Sequence, residues 1–265
     1  MQPDDKNENQ ARIARAFVGA RQAGTALPDY PGDIPAALEQ AYAVQDAAIG
    51  LTQSPVAGWK VGKIEPPVEE MNRLAGPIFA DQVVTAGDAD DIAMPVFGDG
   101  FAAAEAEFLL RIGAAPDPAQ RRFTIDEARA LIDAVHVGIE IASSPYPGIN
   151  ADGPIVTISD FGNNNGLVVG AAIPDWRETN ISGWPIELWI EGRRIGAATA
   201  AAMLDGPFGA ARFLFEHMAA RGIALHPGQW ISSGAVTGVH PVKPGERVEA
   251  RFDDRYAVRC RITAR

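Results

Sequence analysis

The chain has 265 residues, 47% of them hydrophobic and 22% charged, with a formal net charge of −11. Those totals describe a globular protein with room for a substantial core, and the acidity argues against a nucleic-acid or anionic-membrane partner, each of which needs a basic face. A lone cysteine, Cys260, leaves no internal disulfide, and no apolar run approaches the ~18 residues of a membrane span, so the default reading is a soluble, cytoplasmic protein.

The first nine residues are polar and are expected to fray. They lack the basic and apolar regions of a signal peptide. From Gln10 to Ala23, Ile13, Ala16, Phe17 and Ala20 recur at helical spacing, and Gly24 ends the pattern. Asp33 is expected to cap a second helix, with Pro35 early in it, that runs to Gly50. Residues 1–55 thus read as an N-terminal helical cap, and 56–265 as a β-rich catalytic domain, the two forming one compact unit.

Next comes Gly58-Trp59-Lys60-Val61-Gly62, a short strand with a lysine hemmed in by apolar neighbours. Most such lysines lay their stems along the surface, but glycine also lets a ligand approach the backbone closely. Residues 68–74 are expected to form a short helical turn. Asp81 follows the apolar run Gly76-Pro77-Ile78-Phe79-Ala80, where a turn residue is the commoner fate.

The stretch Phe101-Ala102-Ala103-Ala104-Glu105-Ala106-Glu107-Phe108-Leu109-Leu110 is apolar except for two acids. On a strand, residues i and i+2 share a face, so Glu105 and Glu107 stand side by side. Removing two adjacent carboxylates from water costs several kcal/mol each unless a cation lies between them. A second apolar strand, 134–142, carries a lone acid, Glu140, on the face opposite Val137, Ile139 and Ile141. Three carboxylates suit Mg²⁺ or Mn²⁺, whereas zinc would call for His or Cys. A solvated outer sheet face accounts for Glu-x-Glu equally well; the apolar flanks and the matching Glu140 favour the metal.

Thr124 and Glu127 form a capping box opening a helix of about ten residues. Asp160-Phe161-Gly162-Asn163-Asn164-Asn165-Gly166 reads as a tight polar turn with left-handed backbone. Glu191-Gly192-Arg193 marks a hairpin, Phe208 to Arg221 an amphipathic helix with His217 on its surface, and residues 229–238 a strand entering a hydroxyl-rich turn suited to an anion. Strands near 247–252 and 256–263 close the chain.

Taken in order, Gly58-Trp59-Lys60-Val61-Gly62, Glu105-x-Glu107-Phe108, Gly138-Ile139-Glu140-Ile141, Asp160 with Asn163-Asn164, and Ser233-Gly234 resemble the 2-oxopent-4-enoate hydratase and 4-oxalocrotonate decarboxylase group of the fumarylacetoacetate hydrolase superfamily. The resemblance covers roughly residues 10–263. It implies an α+β fold, rich in β-structure with mixed sheets or a β-roll, carrying a helical N-terminal part. It also implies Mg²⁺ or Mn²⁺ held by Glu105, Glu107 and Glu140, and an acid/base pair of Lys60 and Asp81. Val61, Asp160, Asn164, Ser233 and Gly234 would bind a small anionic 2-oxo or 2-hydroxy acid from aromatic catabolism. The expected reaction is hydration of a 2-hydroxy-dienoate; the alternatives are decarboxylation of a 2-oxo-enedioate, or service as a non-catalytic subunit. Homo-oligomerisation, and association with a related hydratase or decarboxylase, belong to the same resemblance. The hydrolase branch typically uses a histidine–acid pair, and none of His136, His217, His226 and His240 precedes the Glu-x-Glu strand. A departure from the group's pattern, Lys63 after Gly62, adds a cation that either suits a second carboxylate on the substrate or simply faces solvent.

Overall fold

A computed structural model describes residues 3–87 and 92–265. Five α-helices are described: α1 (Pro3–Ala23), α2 (Leu38–Leu51), α3 (Ile125–Ala130), α4 (Pro154–Ser159) and α5 (Gly206–Arg221). The strands are β1 (Val56–Val68), β2 (Met71–Phe79), β3 (Val83–Thr85), β4 (Ala93–Val96), β5 (Phe101–Ile112), β6 (Ile132–Ser144), β7 (Asn164–Ala172), β8 (Pro185–Ile190), β9 (Arg193–Thr199), β10 (Trp230–Ser232), β11 (His240–Pro241), β12 (Arg247–Phe252) and β13 (Tyr256–Ala264). One mixed sheet runs β2-β1-β10-β5-β6-β7-β3, with β11 added beside β5; a second runs β4-β13-β12-β8-β9. No described helix is long and apolar enough to cross a membrane.

The two sheets meet through the apolar faces of β5 and β6. Ala104, Ala106, Phe108 and Leu110 join Val137, Ile139 and Ile141 in the main core, against Leu188, Val248, Ala250 and Phe252 of the second sheet. Phe108 is fully buried, its ring 5.5 Å from that of Phe252 and 6.1 Å from that of Trp184. Truncating such a residue to alanine costs about 3–5 kcal/mol. Because side chains alternate along a strand, this packing turns the acidic positions of β5 and β6 the other way, toward α4, the 160–165 turn and β1. On that side α1 and α2 pack through Ile13, Phe17, Val44 and Ala48 against Phe79 and Phe161.

Several local expectations hold. Gly24 is left-handed after α1 (φ 66°), Thr124 and Glu127 form the reciprocal capping box, and the helix expected to end at Arg221 does so. Glu191 and Gly192, both at positive φ, form the two-residue turn between β8 and β9.

Others are corrected. α1 begins at Pro3, so the frayed segment expected over residues 1–9 is helical wherever it is described; Met1 and Gln2 lie outside the described residues. α2 starts at Leu38 with Ala37 as its N-cap, not near Asp33, whose backbone is tied to the Asn9 side chain of α1 instead. Residues 68–74 are not helical: Glu69 and Glu70 adopt left-handed backbone (φ 49° and 65°) and reverse the chain, so that β1 and β2 pair along most of their length. α3 covers six residues, shorter than the ten expected. His217 is half-buried where a surface position was expected; its ring stacks on Phe213 and lies 4.7 Å from Tyr42.

Candidate metal centre and its cavity

The antiparallel register of β5 on β6 sets Glu105 directly opposite Glu140, and Glu107 opposite Gly138. Directly opposed side chains on one sheet face have Cβ atoms about 4.5–5.5 Å apart, so this register alone gathers three carboxylates. All three are buried, and their nearest oxygens lie within 4.8 Å of one another. β1 brings the compensating cation: Lys60 is 6% exposed, and its Nζ is 3.2 Å from Glu140 Oε1.

Local backbone holds each acid in place. Glu107 Oε2 accepts from the Ser232 hydroxyl and, at 2.8 Å, from the backbone N–H of Gly234. Glu140 Oε1 also accepts from Asn164 Nδ2 at 2.9 Å. Gly234 stands at φ 104°, a conformation that bends the chain after β10 so that its N–H reaches the carboxylate. The 161–163 turn presses on Lys60 from the other side. A Cβ on Gly162 would lie 3.1 Å from Lys60 Cδ, and one on Gly76 would lie 2.1 Å from the Phe161 carbonyl oxygen.

One lysine does not balance three acids. Burial pushes Glu105 up to about 7, with Lys60 pulling it back and Glu140 pushing it further. Burial, then Glu140 and Glu105, hold Glu107 well above the usual carboxylate range. Burial works to lower the Lys60 pKa, but Glu140, Glu105 and Glu107 outweigh it and raise it, so Lys60 is held protonated. Glu107 Oε1 and Glu140 Oε2 are buried with no hydrogen-bond partner. An unpaired buried carboxylate oxygen is expensive, and two of them beside Glu105 are what a shared hard cation would satisfy. The donor set is all oxygen, which fits Mg²⁺ or Mn²⁺ and not zinc.

The centre opens into a cavity of about 760 Å³ whose walls include Lys60, Val61, Glu105, Asn163, Ser233 and Gly234. The Oγ of Ser233 and the Oδ1 of Asn163 are buried there without partners. The lining also includes Lys63, ion-paired with Glu65 of the same wall, together with Arg73, Met203, Leu204 and Val239. Arg73 is buried and paired with Asp205, which also accepts from Arg212; two guanidinium groups thus share one carboxylate and leave positive charge at the cavity's edge.

Of the residues singled out in the sequence, Lys60, Val61, Glu105, Ser233 and Gly234 line this cavity, and Glu107, Glu140 and Asn164 are bonded into its floor. Two are not brought to it. Asp81 is exposed on the short helical turn after β2 and lines a separate cavity with Arg21, Ser54 and Arg265, so it does not reach Lys60. Asp160 is fully buried in an ion pair with Arg21 and accepts from the Ser144 hydroxyl, which leaves its carboxylate no free face for a substrate. Sequence reasoning missed Arg73, because the segment holding it was read as helical. It missed Arg21 too, since an arginine in a helix's last turn carries no signal of its own.

No family model matches the chain. By sequence it is 32% identical over 138 residues to a 4-oxalocrotonate decarboxylase of a Pseudomonas species, a match covering 51% of this chain and 48% of that protein. The enzyme of the same name from Pseudomonas putida is 22% identical over 52% of each chain. The chain is therefore matched along only about half the length of these curated relatives. Among solved structures, 4-oxalocrotonate decarboxylase from Pseudomonas putida G7, complexed with magnesium and adipate, superposes with a TM-score of 0.81 at 20% identity, over 96% of this chain and 97% of that one. Fumarylpyruvate hydrolase from Pseudomonas aeruginosa, in complex with Mn²⁺ and pyruvate, gives a TM-score of 0.59 at 18% identity, over 80% and 91% of the two chains. The chain has the fumarylacetoacetate-hydrolase-like α+β fold, and its relatives bear out the resemblance of its motifs to the 2-oxopent-4-enoate hydratase and 4-oxalocrotonate decarboxylase group of that superfamily.

Proposed function

We propose that the protein is a divalent-metal-dependent lyase acting on a short unsaturated 2-oxo acid, with decarboxylation of a 2-oxo-enedioate as the leading reaction. One observation carries the metal-dependent part: three buried carboxylates around Lys60, two of them with an unpartnered oxygen. Glu105, Glu107 and Glu140 would hold Mg²⁺ or Mn²⁺, and the bound cation supplies Lewis acidity that stabilises negative charge on the 2-oxygen of the substrate.

The chain's own residues do the rest. Ser233, its hydroxyl unpartnered, offers a donor to the substrate's near carboxylate. Lys60, at the cavity wall with its Nζ 3.2 Å from Glu140 Oε1, is the proton donor to the carbon skeleton once charge has moved. Asp81 lines a separate cavity, so the acid/base role falls to Lys60. Arg73, which shares Asp205 with Arg212, favours a substrate with a second carboxylate, whereas the Lys63 charge is matched by Glu65 on the same wall. In an unsaturated 2-oxo diacid the distal C–C bond is conjugated to the 2-oxo group; its electron pair can pass to that oxygen as carbon dioxide leaves. The names of the sequence relatives support the same choice. Hydration of a 2-hydroxy-dienoate, the reaction expected first from the resemblance, needs the same stabilised enolate and the same proton donor; it stands second because the sequence relatives carry the decarboxylase name.

The test is carbon dioxide release from 2-oxohex-3-enedioate, with Mg²⁺ or Mn²⁺ and then with a chelator, beside consumption of 2-hydroxypenta-2,4-dienoate. Metal-dependent carbon dioxide release supports decarboxylation. Turnover of the dienoate alone reverses the order, and turnover of both substrates undiminished by the chelator refutes the metal-dependent reading.

A further inference from the structure

We infer that Arg21, on the last turn of α1 and outside the cavity, is a positioning residue for the metal centre: its guanidinium grips both ends of the 160–165 turn and so fixes Asn164 and Lys60 against Glu140. The inference rests on the metal-dependent reading above and extends it to a residue no motif identifies.

The 160–165 turn is held in an unusual backbone. Phe161 and Asn163, neither of them glycine, have φ of 56° and 66°, with Gly162 at 64° between them. Side-chain-bearing residues are strained in that region, and such backbone persists only where its surroundings over-determine it. Arg21 supplies that constraint. Its Nε and Nη2 donate to the two carboxylate oxygens of Asp160 at 2.6 and 2.8 Å, and its Nη1 donates to Asn165 Oδ1 at 3.1 Å. Nη2 also reaches the Ser143 carbonyl oxygen at the end of β6. One planar fork therefore clamps the residue before the left-handed stretch and a residue after it. Arg265 donates to Asn165 Oδ1 as well, at 3.1 Å, but among the described residues Arg21 alone is bonded to both Asp160 and Asn165.

What the turn presents is the metal centre's supporting shell. Asn164, next to the clamped Asn165, donates to the same Glu140 oxygen that Lys60 faces. Gly162 packs on the Lys60 stem, and the Phe161 carbonyl sits where Gly76 alone leaves room. A shift of the turn by a few tenths of an ångström therefore moves a ligand's hydrogen-bond donor and the wall behind the lysine together. The guanidinium is itself buried, stacked 5.1 Å from the centre of the Phe161 ring, so it cannot swing away and leave the turn unchanged.

The test is Mn²⁺ affinity, read by electron paramagnetic resonance of free Mn²⁺, in the full chain and in Arg21→Lys. Lysine keeps the charge but reaches only one end of the turn. The expected result is a folded variant, by circular dichroism, that binds Mn²⁺ at least about tenfold more weakly, the size of loss that supporting-shell changes cause. Phe215→Leu, in α5 against Phe123 in the main core and in none of the bonds of the 160–165 turn, serves as the control: it lowers thermal stability but leaves the Mn²⁺ affinity unchanged. Arg21→Lys within twofold of the parent overturns the inference, as does an equal loss in Phe215→Leu. Should Arg21→Lys fail to fold, Asn165→Ser removes one grip, together with the Asn165 bonds to Arg265 and the Pro95 carbonyl, and keeps the ion pair, while Arg265→Lys controls for the Arg265 bond; a loss of threefold or more in Asn165→Ser that Arg265→Lys does not share supports the inference, and parental affinity in Asn165→Ser, or an equal loss in Arg265→Lys, overturns it. A parent that binds no Mn²⁺ refutes the metal reading itself, whereas a parent that binds normally beside an unaffected Arg21→Lys refutes only the role of Arg21.

Discussion

Glu107→Gln separates the charge of the centre from its shape. The side chain is fully buried, with Oε2 bonded to Ser232 and Gly234 and Oε1 unpartnered. Glutamine has nearly the same volume and can keep its carbonyl oxygen on those two donors, so the fold is retained. In the metal-free protein the change removes one of three mutually repelling carboxylates beside a single lysine, and the melting temperature is expected to stay the same or rise. With cation the order reverses. A parent saturated at 1,000 times its Kd gains about 4.1 kcal/mol from binding, or about 8–16 °C for a domain of this size. A charged ligand counts for at least as much as a supporting-shell partner, whose loss weakens binding by up to about 100-fold. At the same cation concentration the variant then sits near 10 times its Kd and gains only about 1.4 kcal/mol, some 3–6 °C. Thermal melts of both proteins, with MgCl₂ and with a chelator, read the two effects separately. A variant whose melting temperature rises with Mg²⁺ as much as the parent's would refute the assignment of Glu107 as a ligand.

Lys60→Met is expected to lose turnover by about 10²–10⁴-fold, the range for a positioned proton donor, yet to bind Mn²⁺ no more weakly than the parent, because it removes a cation from the site; weaker binding would make Lys60 a structural support instead. Asp81→Asn should leave turnover within twofold, since that carboxylate is exposed in a different cavity, and a large loss in steady-state rate would return it to the active site. His217 gives a pH signature away from the centre. Burial, followed by the Arg221 charge, lowers its pKa to about 3. Between that value and its unfolded value near 6.5 the unfolded chain binds more protons, so His217's contribution is whole above pH 6.5 and is lost as pH falls toward 3. His217→Phe should flatten that part of the stability curve, and a variant as acid-sensitive as the parent over this window would contradict the burial argument.

The centre was legible in the sequence because period-two alternation fixes faces: Glu105 and Glu107 had to stand together, and Glu140 had to oppose the apolar side of its own strand. What the sequence left open was register, the quantity that sets Glu105 opposite Glu140 instead of two residues away. The second helix was placed too early because Asp33 has the chemistry of a cap, yet a long-range bond to Asn9 claims its backbone. Residues 68–74 were misread because the strain of two left-handed glutamates is offset by strand pairing on both sides, a tertiary gain invisible in local propensity. Asp160 was assigned to substrate because an acid in a polar turn looks available; its partner lies 139 positions away in α1.

The most direct test of the account is a crystal of the protein soaked in Mn²⁺ and measured at the manganese absorption edge. The account predicts one anomalous peak per chain, among the carboxylates of Glu105, Glu107 and Glu140. A peak elsewhere with none at that cluster would contradict it.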